Sequence, residues 1–151
     1  MPKLRIVPGP VWDPTDEQVQ IVNEGLEKTK STVVPIEGQF DSYIVLDDDR
    51  PVGMLSVMPI NQSACEFGVR FWDKKMTSAR VMGRAVRLLF DVYDYVLARC
   101  YATNMDVRHL VQRVGFILLD VQKYEKKNVH VYGCRKEDFY RVTPEGIFSD
   151  G

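Results

Sequence analysis

The chain has 151 residues, of which 45% are hydrophobic and 27% charged, the ordinary balance of one soluble globular domain. Its 20 Lys and Arg residues nearly cancel its 21 Asp and Glu residues, so no overall field attracts nucleic acid or an anionic membrane. No apolar run approaches the roughly 18 residues of a membrane span, and we expect a cytoplasmic protein. The composition argues against a DNA-binding or membrane protein.

The cysteines predict free thiols. Cys65, Cys100 and Cys134 are odd in number and lie within apolar stretches. They include no C-x-x-C pair, and the chain has only two histidines that could complete a metal site. We expect three buried, reduced thiols and no bound metal.

Hydrophobic periodicity and capping residues predict three helices. The first covers residues 15–30 and begins with capping-box spacing between Thr15 and Gln18. The second covers residues 78–93, where apolar side chains recur with helical period and charged side chains lie on the opposite face. A short third helix is capped by Asn104 or Asp106 and ends at Gly115.

Short β-rich segments lie between and around these helices. The strands are expected at residues 4–7, 40–46, 51–58, 64–71, 95–102, 117–124 and 128–134. An acidic turn at 47–50 and a turn at 125–127 suit hairpins. The order β-α-β-β-β-α-β-α-β-β predicts an α/β protein, with helices packed on a mixed sheet whose strand order stays open.

No linker divides the chain, so we expect a single domain over residues 1–151. The tail at 136–151 carries enough apolar side chains to dock somewhere. Three alternatives stay open for it: it packs on the domain, covers the site, or joins a second subunit in a homodimer.

Three segments resemble the GNAT superfamily of N-acetyltransferases. Residues 50–55 (RPVGML) resemble the strand that follows its acidic hairpin, and residues 64–69 (ACEFGV) resemble the central strand of its ribosomal-protein-acetylating branch. Residues 104–116 (NMDVRHLVQRVGF) are similar to the superfamily motif Asn-x-x-(small)-x-x-Leu-Tyr-x-(basic)-x-Gly-Phe. The resemblance implies a central mixed sheet flanked by helices, and transfer of an acetyl group from acetyl-CoA to a primary amine of a small molecule, peptide or protein.

The resemblance also implies a cleft. The strands that begin at Ala64 and Tyr95 would be parallel neighbours that diverge near Phe71 and Ala102, admitting the pantetheine arm of acetyl-CoA. Asn104 would contact that arm, although an asparagine before a helix is also an ordinary N-cap.

A pyrophosphate-binding turn would follow the central strand, where backbone N–H groups and a helix N-terminus meet the phosphates. Residues 80–85 (RVMGRA) fit the superfamily pattern, but only 24 residues separate Arg80 from Asn104 and Gly83 would lie inside the helix. We therefore favour a degenerate, glycine-poor turn at 77–82. The cofactor-binding residues implied are Phe71, Thr77, Ser78, Ala79, Arg80, Val81, Met82, Gly83 and Asn104.

Glu66 is the first candidate for the catalytic base. Alternation along the strand places Glu66 and Gly68 on one face, so the carboxylate stands beside the gap left by a glycine. In the branch that the chain resembles, a glutamate at this position lies near the acceptor amine. The alternative interpretation is a structural glutamate that pairs with a neighbouring strand.

The general acid is unassigned, because Val111 stands where the superfamily has a tyrosine and His109 lies on a different helical face. Tyr101 and Tyr124 belong to strands, where aromatic residues usually form core. This departure, with the glycine-poor turn, keeps a second function open: a catalytically inactive binding or assembly module of the same fold. An unrelated α/β binding protein is the third alternative.

Overall fold

The computed structural model describes residues 4–36, 38–73 and 79–143, which form seven strands, one 3-10 turn and four helices. In chain order these are β1 (Leu4–Pro8), the 3-10 turn (Gly9–Val11), α1 (Asp16–Thr29), β2 (Asp41–Asp47), β3 (Arg50–Pro59), β4 (Ala64–Phe71), α2 (Ala79–Phe90), β5 (Tyr95–Tyr101), α3 (Met105–Arg113), β6 (Ile117–Tyr124), β7 (Lys127–Arg135) and α4 (Lys136–Val142). The expected element order is confirmed, and α4 follows it.

All seven strands belong to one mixed sheet, in the order β1-β2-β3-β4-β5-β7-β6. Each neighbouring pair is antiparallel except β4 and β5, which are parallel. Short turns join most of the antiparallel pairs, whereas the parallel pair needs the α2 crossover between its strands. The mixed α/β sheet predicted from the sequence is therefore confirmed.

The parallel pair is short. Only Ala64–Phe67 of β4 pairs with Tyr95–Ala98 of β5. Beyond that point β4 stays hydrogen-bonded to β3, and β5 stays hydrogen-bonded to β7. The strands diverge from Gly68 and Arg99 onward. The sequence predicted divergence several residues later, near the strand ends at Phe71 and Ala102. It occurs earlier because each strand follows its antiparallel partner.

The main core lies between one face of the sheet and the helices α2, α3 and α4. Phe67 of β4 and Val96 of β5 point into it, and the helical residues Met82 and Val86 are fully buried against them. Burial of such side chains contributes about 1.5–3 kcal/mol each. The preceding residue of β4, Glu66, points to the other face.

Helix α1 packs on that other face, against β3 and β4. Gly25 lies directly over the indole of Trp72, so that a Cβ at this position would overlap the ring. Arg70 of β4 donates to the Thr29 hydroxyl and to the Leu26 carbonyl, each at 2.8 Å. These contacts fix the C-terminal end of α1, and with it the start of the segment that leads to β2.

The beginning of the C-terminal tail packs on the domain. Phe139 of α4 is 1% exposed and its ring centroid lies 5.2 Å from that of Phe90. Gly115, with a φ of +107°, turns the chain beneath α4, a backbone conformation that favours glycine. Of the three alternatives for the tail, residues 136–142 take the first; residues 144–151 lie outside the described part.

Several predicted boundaries shift for local reasons. Helix α2 ends at Phe90 rather than at residue 93, because the Val92 and Tyr93 amides both turn back to the Leu89 carbonyl. The last hairpin turns on two residues, Glu125 and Lys126, both with positive φ, so the next residue already belongs to β7.

The edge strand β6 is exposed along almost its whole length. Its exposed apolar side chains are Ile117, Leu118, Leu119 and Val121. The homodimer considered above stays a prediction. None of the described helices combines the length and the apolar character needed to cross a bilayer.

Gly25→Ala tests how closely α1 packs. Alanine favours an isolated helix over glycine by about 1 kcal/mol, yet its Cβ overlaps the Trp72 ring. We expect a net loss of about 1–3 kcal/mol in the free energy of unfolding, measured with denaturant. Asn23→Ala, on the exposed side of the same helix, is the control and should be neutral or slightly stabilising. Stabilisation by Gly25→Ala would contradict the packing.

Candidate functional site

A groove opens where β4 and β5 diverge. The empty space between its walls is about 460 Å³, a figure that includes open solvent at the mouth of the groove. The segment after α1 forms one wall, the two strands form the floor, and α3 forms the far side. The lining residues are Thr32, Val33, Val34, Ile36, Glu66, Phe67, Gly68, Val69, Ala98, Arg99, Cys100, Asn104, Val107 and Val111. The groove is therefore mostly apolar, with a few polar groups.

Glycine at position 68 keeps the groove open on the α1 side. A Cβ there would meet only the Ile36 Cδ1, at 3.5 Å, which is an ordinary contact distance. A larger side chain would extend into the groove without backbone strain. The sequence-based idea of a gap beside Glu66 agrees with this geometry.

The polar centre of the groove is an ion pair between the diverging strands. Arg99 Nε donates to Glu66 Oε1 at 3.0 Å, and Arg99 Nη2 donates to the Pro35 carbonyl at 3.2 Å. The side chains are 11% exposed for Glu66 and 21% for Arg99. A mostly buried carboxylate needs such a partner, because burial of an unpaired charge is costly. The structure thus contains the strand-to-strand pair of the alternative interpretation, and it places the same carboxylate in the groove.

The divergence leaves main-chain groups open to the groove. No described strand pairs with the inner edge of β4 beyond Phe67, or with the inner edge of β5 beyond Ala98. Backbone N–H and C=O groups on such edges form hydrogen bonds with whatever lies between them. The groove can therefore hold an extended ligand that carries amide groups.

Solved structures with this architecture are N-acetyltransferases in several cases. PseH from Campylobacter jejuni superposes with a TM-score of 0.68 at 14% identity, over 89% of this chain and 99% of that chain. Spermidine N-acetyltransferase SpeG from Vibrio cholerae, solved with CoA and spermine, gives 0.69 at 14% identity, over 91% and 98%. An uncharacterized protein from Bacillus halodurans gives 0.72 at 10% identity, over 93% and 88%. The sequence matches no family model and no curated protein.

The chain has the GNAT acetyltransferase fold. At 10–14% identity the likeness to these structures concerns the fold alone.

Within this fold, Asn104 lies where the groove meets α3. Its side-chain oxygen accepts a hydrogen bond from the Val107 amide at 3.4 Å, which makes it the N-cap of α3. It also lines the groove. Both interpretations of Asn104 from the sequence therefore fit its position.

The residues predicted for the pyrophosphate turn lie elsewhere or are not described. Thr77 and Ser78 lie outside the described residues, as do Lys74 and Lys75. Phe71, at the end of β4, packs its ring on the small cluster of Val45, Val52 and Val81 and does not line the groove.

Helix α2 contains the rest of that turn. Arg80 is exposed and Ala79 is half-buried, while the side chains of Val81 and Met82 are buried in cores. Their side chains therefore do not reach a ligand. Gly83 comes four residues after Ala79 within α2, so its amide donates inside the helix. The 80–85 frame as a loop is therefore wrong, and we leave Gly83 out of the proposed site.

None of the residues considered from the sequence replaces the missing tyrosine. Val111 is buried and lines the groove, and His109 is exposed on another face of α3. Tyr101 packs with Val129 in a separate small cluster, and Tyr124 lies against that cluster. Neither tyrosine lines the groove.

The three cysteines are free and buried, as predicted. Burial raises the pKa of the Cys65 thiol to about 12, with a smaller contribution from the Glu66 charge. Burial also raises the pKa of Cys100 to about 11 and that of Cys134 to about 12. Thiols with such pKa values are protonated near neutral pH and are weak nucleophiles.

Arg99 and the segment at 32–36 were not predicted from the sequence as parts of the site. Arg99 could have been found from the alternation of side chains along its strand. The alternation places this charged residue between Leu97 and Tyr101, on the same face of the sheet as Glu66. The segment after α1 carries no local motif. Its place depends on how α1 packs on Trp72, which is a tertiary contact.

Asn104→Ala tests the cap. Loss of an N-cap side chain costs about 0.5–2 kcal/mol, and the long 3.4 Å contact predicts the lower half of that range. Asn104→Asp keeps a capping oxygen and should retain most of the stability in thermal or denaturant unfolding. Equal losses for both variants would show that the amide group, and not the cap, stabilises this corner.

Proposed function

We propose that this protein is an acetyl-CoA-dependent N-acetyltransferase that acts on a primary amine. One observation carries the proposal: β4 and β5 diverge to form an amide-lined groove, and a carboxylate stands at the point of divergence. PseH and SpeG share the fold, and the structures of both include complexes with acetyl-CoA or CoA. The ribosomal-protein-acetylating branch, a peptide acceptor, the cytoplasmic location and a homodimer stay predictions.

The groove fits the pantetheine arm of acetyl-CoA in shape and chemistry. The arm is a narrow chain with two amides, and the groove offers two open strand edges with an apolar floor. The Asn104 side chain lines the same groove and offers an amide donor. The turn at 77–82 stays a prediction: its described residues Ala79 and Arg80, at the described start of α2, would lie against the pyrophosphate.

Bound acetyl-CoA would supply a thioester: the amine nitrogen forms a bond to its carbonyl carbon, and the carbon–sulfur bond breaks to release CoA. The chain's own part is to hold both reactants in contact, which can provide a large share of the rate. Glu66 lies in the groove on the α1 side, and it would take the proton that the amine releases, directly or through water. A single base of this kind contributes about 10²–10⁴ in rate.

The inactive module is the second candidate, because Val111 stands where the superfamily has a tyrosine that would act as general acid. The two functions differ in one measurable property. An enzyme binds acetyl-CoA and turns over an amine, whereas a module of the same fold that has lost its cosubstrate does neither.

Titration with acetyl-CoA separates these functions. Binding to the folded state should raise the melting temperature, with about 2.7 kcal/mol of stabilisation at a hundred times Kd. Gly68→Val fills the groove beside Ile36 and should abolish the shift. Ser56→Val, directly opposite Gly68 on β3 and outside the groove, is the matched control.

Two results would oppose the proposal. Calorimetry without heat of binding at millimolar acetyl-CoA favours the module. Unchanged affinity in Gly68→Val would place the ligand away from the groove.

Glu66→Gln tests the base. The change preserves shape and removes the negative charge, so kcat/KM should fall about 10²–10⁴-fold near neutral pH while acetyl-CoA affinity stays the same. Activity should partly recover at higher pH, where more of the amine is already unprotonated. Glu24→Gln, on the exposed side of α1, is the control.

The assay begins with a panel of polyamines, aminoglycosides and peptide N-termini to find an acceptor. Normal turnover by Glu66→Gln on that acceptor would make Glu66 a structural strand residue.

A further inference from the structure

Arg99 makes the two contacts that join the walls of the groove. Arg99 directly follows the segment of β5 that pairs with β4. Glu66 is the second-last residue of the segment of β4 that pairs with β5. One guanidinium nitrogen holds Glu66 Oε1, and another holds the Pro35 carbonyl of the wall segment. The Arg99 side chain thus connects β4 with the 32–36 segment, on the α1 side of the groove.

The ion pair uses only half of the Glu66 carboxylate. Oε1 accepts from Arg99, while Oε2 accepts no hydrogen bond from any described residue and is not sealed from solvent. Ionised carboxylates have about four acceptor sites. A buried carboxylate with one oxygen held and one oxygen free is suited to receive an N–H donor from the groove.

We infer that Arg99 is a positioning residue for the acetyl-transfer reaction: it holds Glu66 by Oε1, leaves Oε2 for the acceptor amine, and ties the 32–36 wall to the strand that bears it. The inference rests on the proposed function. Arg99 does not itself exchange a proton in this scheme, since a guanidinium stays protonated at any pH of interest.

Arg70 provides an internal comparison. It lies on β4, on the same face as Glu66, and it also ties the sheet to the α1 region through two hydrogen bonds. Its partners are a hydroxyl and a carbonyl, and it does not line the groove. Both arginines tie the sheet to the α1 region, but only Arg99 contacts the candidate base.

The test is a double-mutant cycle on turnover with Arg99→Gln, Glu66→Gln and the double variant. Arg99→Gln should lower kcat about 10–100-fold and leave acetyl-CoA affinity within about threefold, because a base held 1 Å out of place loses rate on this order. In the Glu66→Gln background the same change should have almost no further effect. Arg99→Lys keeps one charged donor and should restore part of kcat.

One control separates positioning from stability. Arg70→Gln should lower the melting temperature without a comparable loss of kcat. If Arg99→Gln does not fold, the Arg99→Lys variant and its combination with Glu66→Gln complete the cycle.

The outcomes distinguish the two proposals. An active wild-type enzyme in which the Arg99 and Glu66 losses multiply independently would overturn the positioning role and leave the function intact. Losses in Arg70→Gln that match those in Arg99→Gln would do the same. A wild-type protein that neither binds acetyl-CoA nor acetylates any amine of the panel would overturn the function, and the positioning role with it.

Discussion

The early end of the parallel ladder is the constraint on which the rest of the site depends. A sheet that stayed paired along β4 and β5 would have no groove, and its inner edges would be satisfied by each other. Here each strand remains hydrogen-bonded to its antiparallel neighbour, and the two strands are unpaired beyond Phe67 and Ala98. The open edges expose backbone groups that a protein normally pairs or covers. The groove is tolerated because the 32–36 segment and α3 flank it, and because solvent reaches the backbone groups that they leave uncovered.

The ion pair between Glu66 and Arg99 has a desolvation cost, and the fold does not need a charged pair at this position. Two apolar residues of similar size would be neutral or more stabilising in many proteins, since desolvation of both charges offsets their attraction. Loss of one partner from a fully buried pair costs about 3–5 kcal/mol, and here the cost is smaller because Arg99 is 21% exposed. A charge pair that adds little stability, and that lines the groove, is better explained by a role in the groove.

The parts of the fold that could be predicted are those that depend on local sequence. The Thr15 cap, the period of α2 and the Asn104 cap each need only neighbours within four residues, and each is confirmed. The register at which β4 leaves β5 and the fourth helix both depend on tertiary contacts: on which partner holds each strand, and on Phe139 reaching Phe90. Arg99 belongs to the same class, because its partner Glu66 is 33 residues away in sequence.

Val111 is apolar at the position where the resemblance implies a general acid, and this changes what the proposed reaction demands of the chain. In the described groove, Thr32 already donates its hydroxyl proton to the Thr29 carbonyl, and the Cys100 thiol has a pKa of about 11. A departing thiolate of ordinary basicity, with a pKa near 8.5, needs no strong acid near neutral pH, and solvent at the open groove can protonate it. The step that gains most from the protein is then removal of the proton from the attacking amine. This places the burden of catalysis on the position of Glu66, and hence on the arginine that holds it.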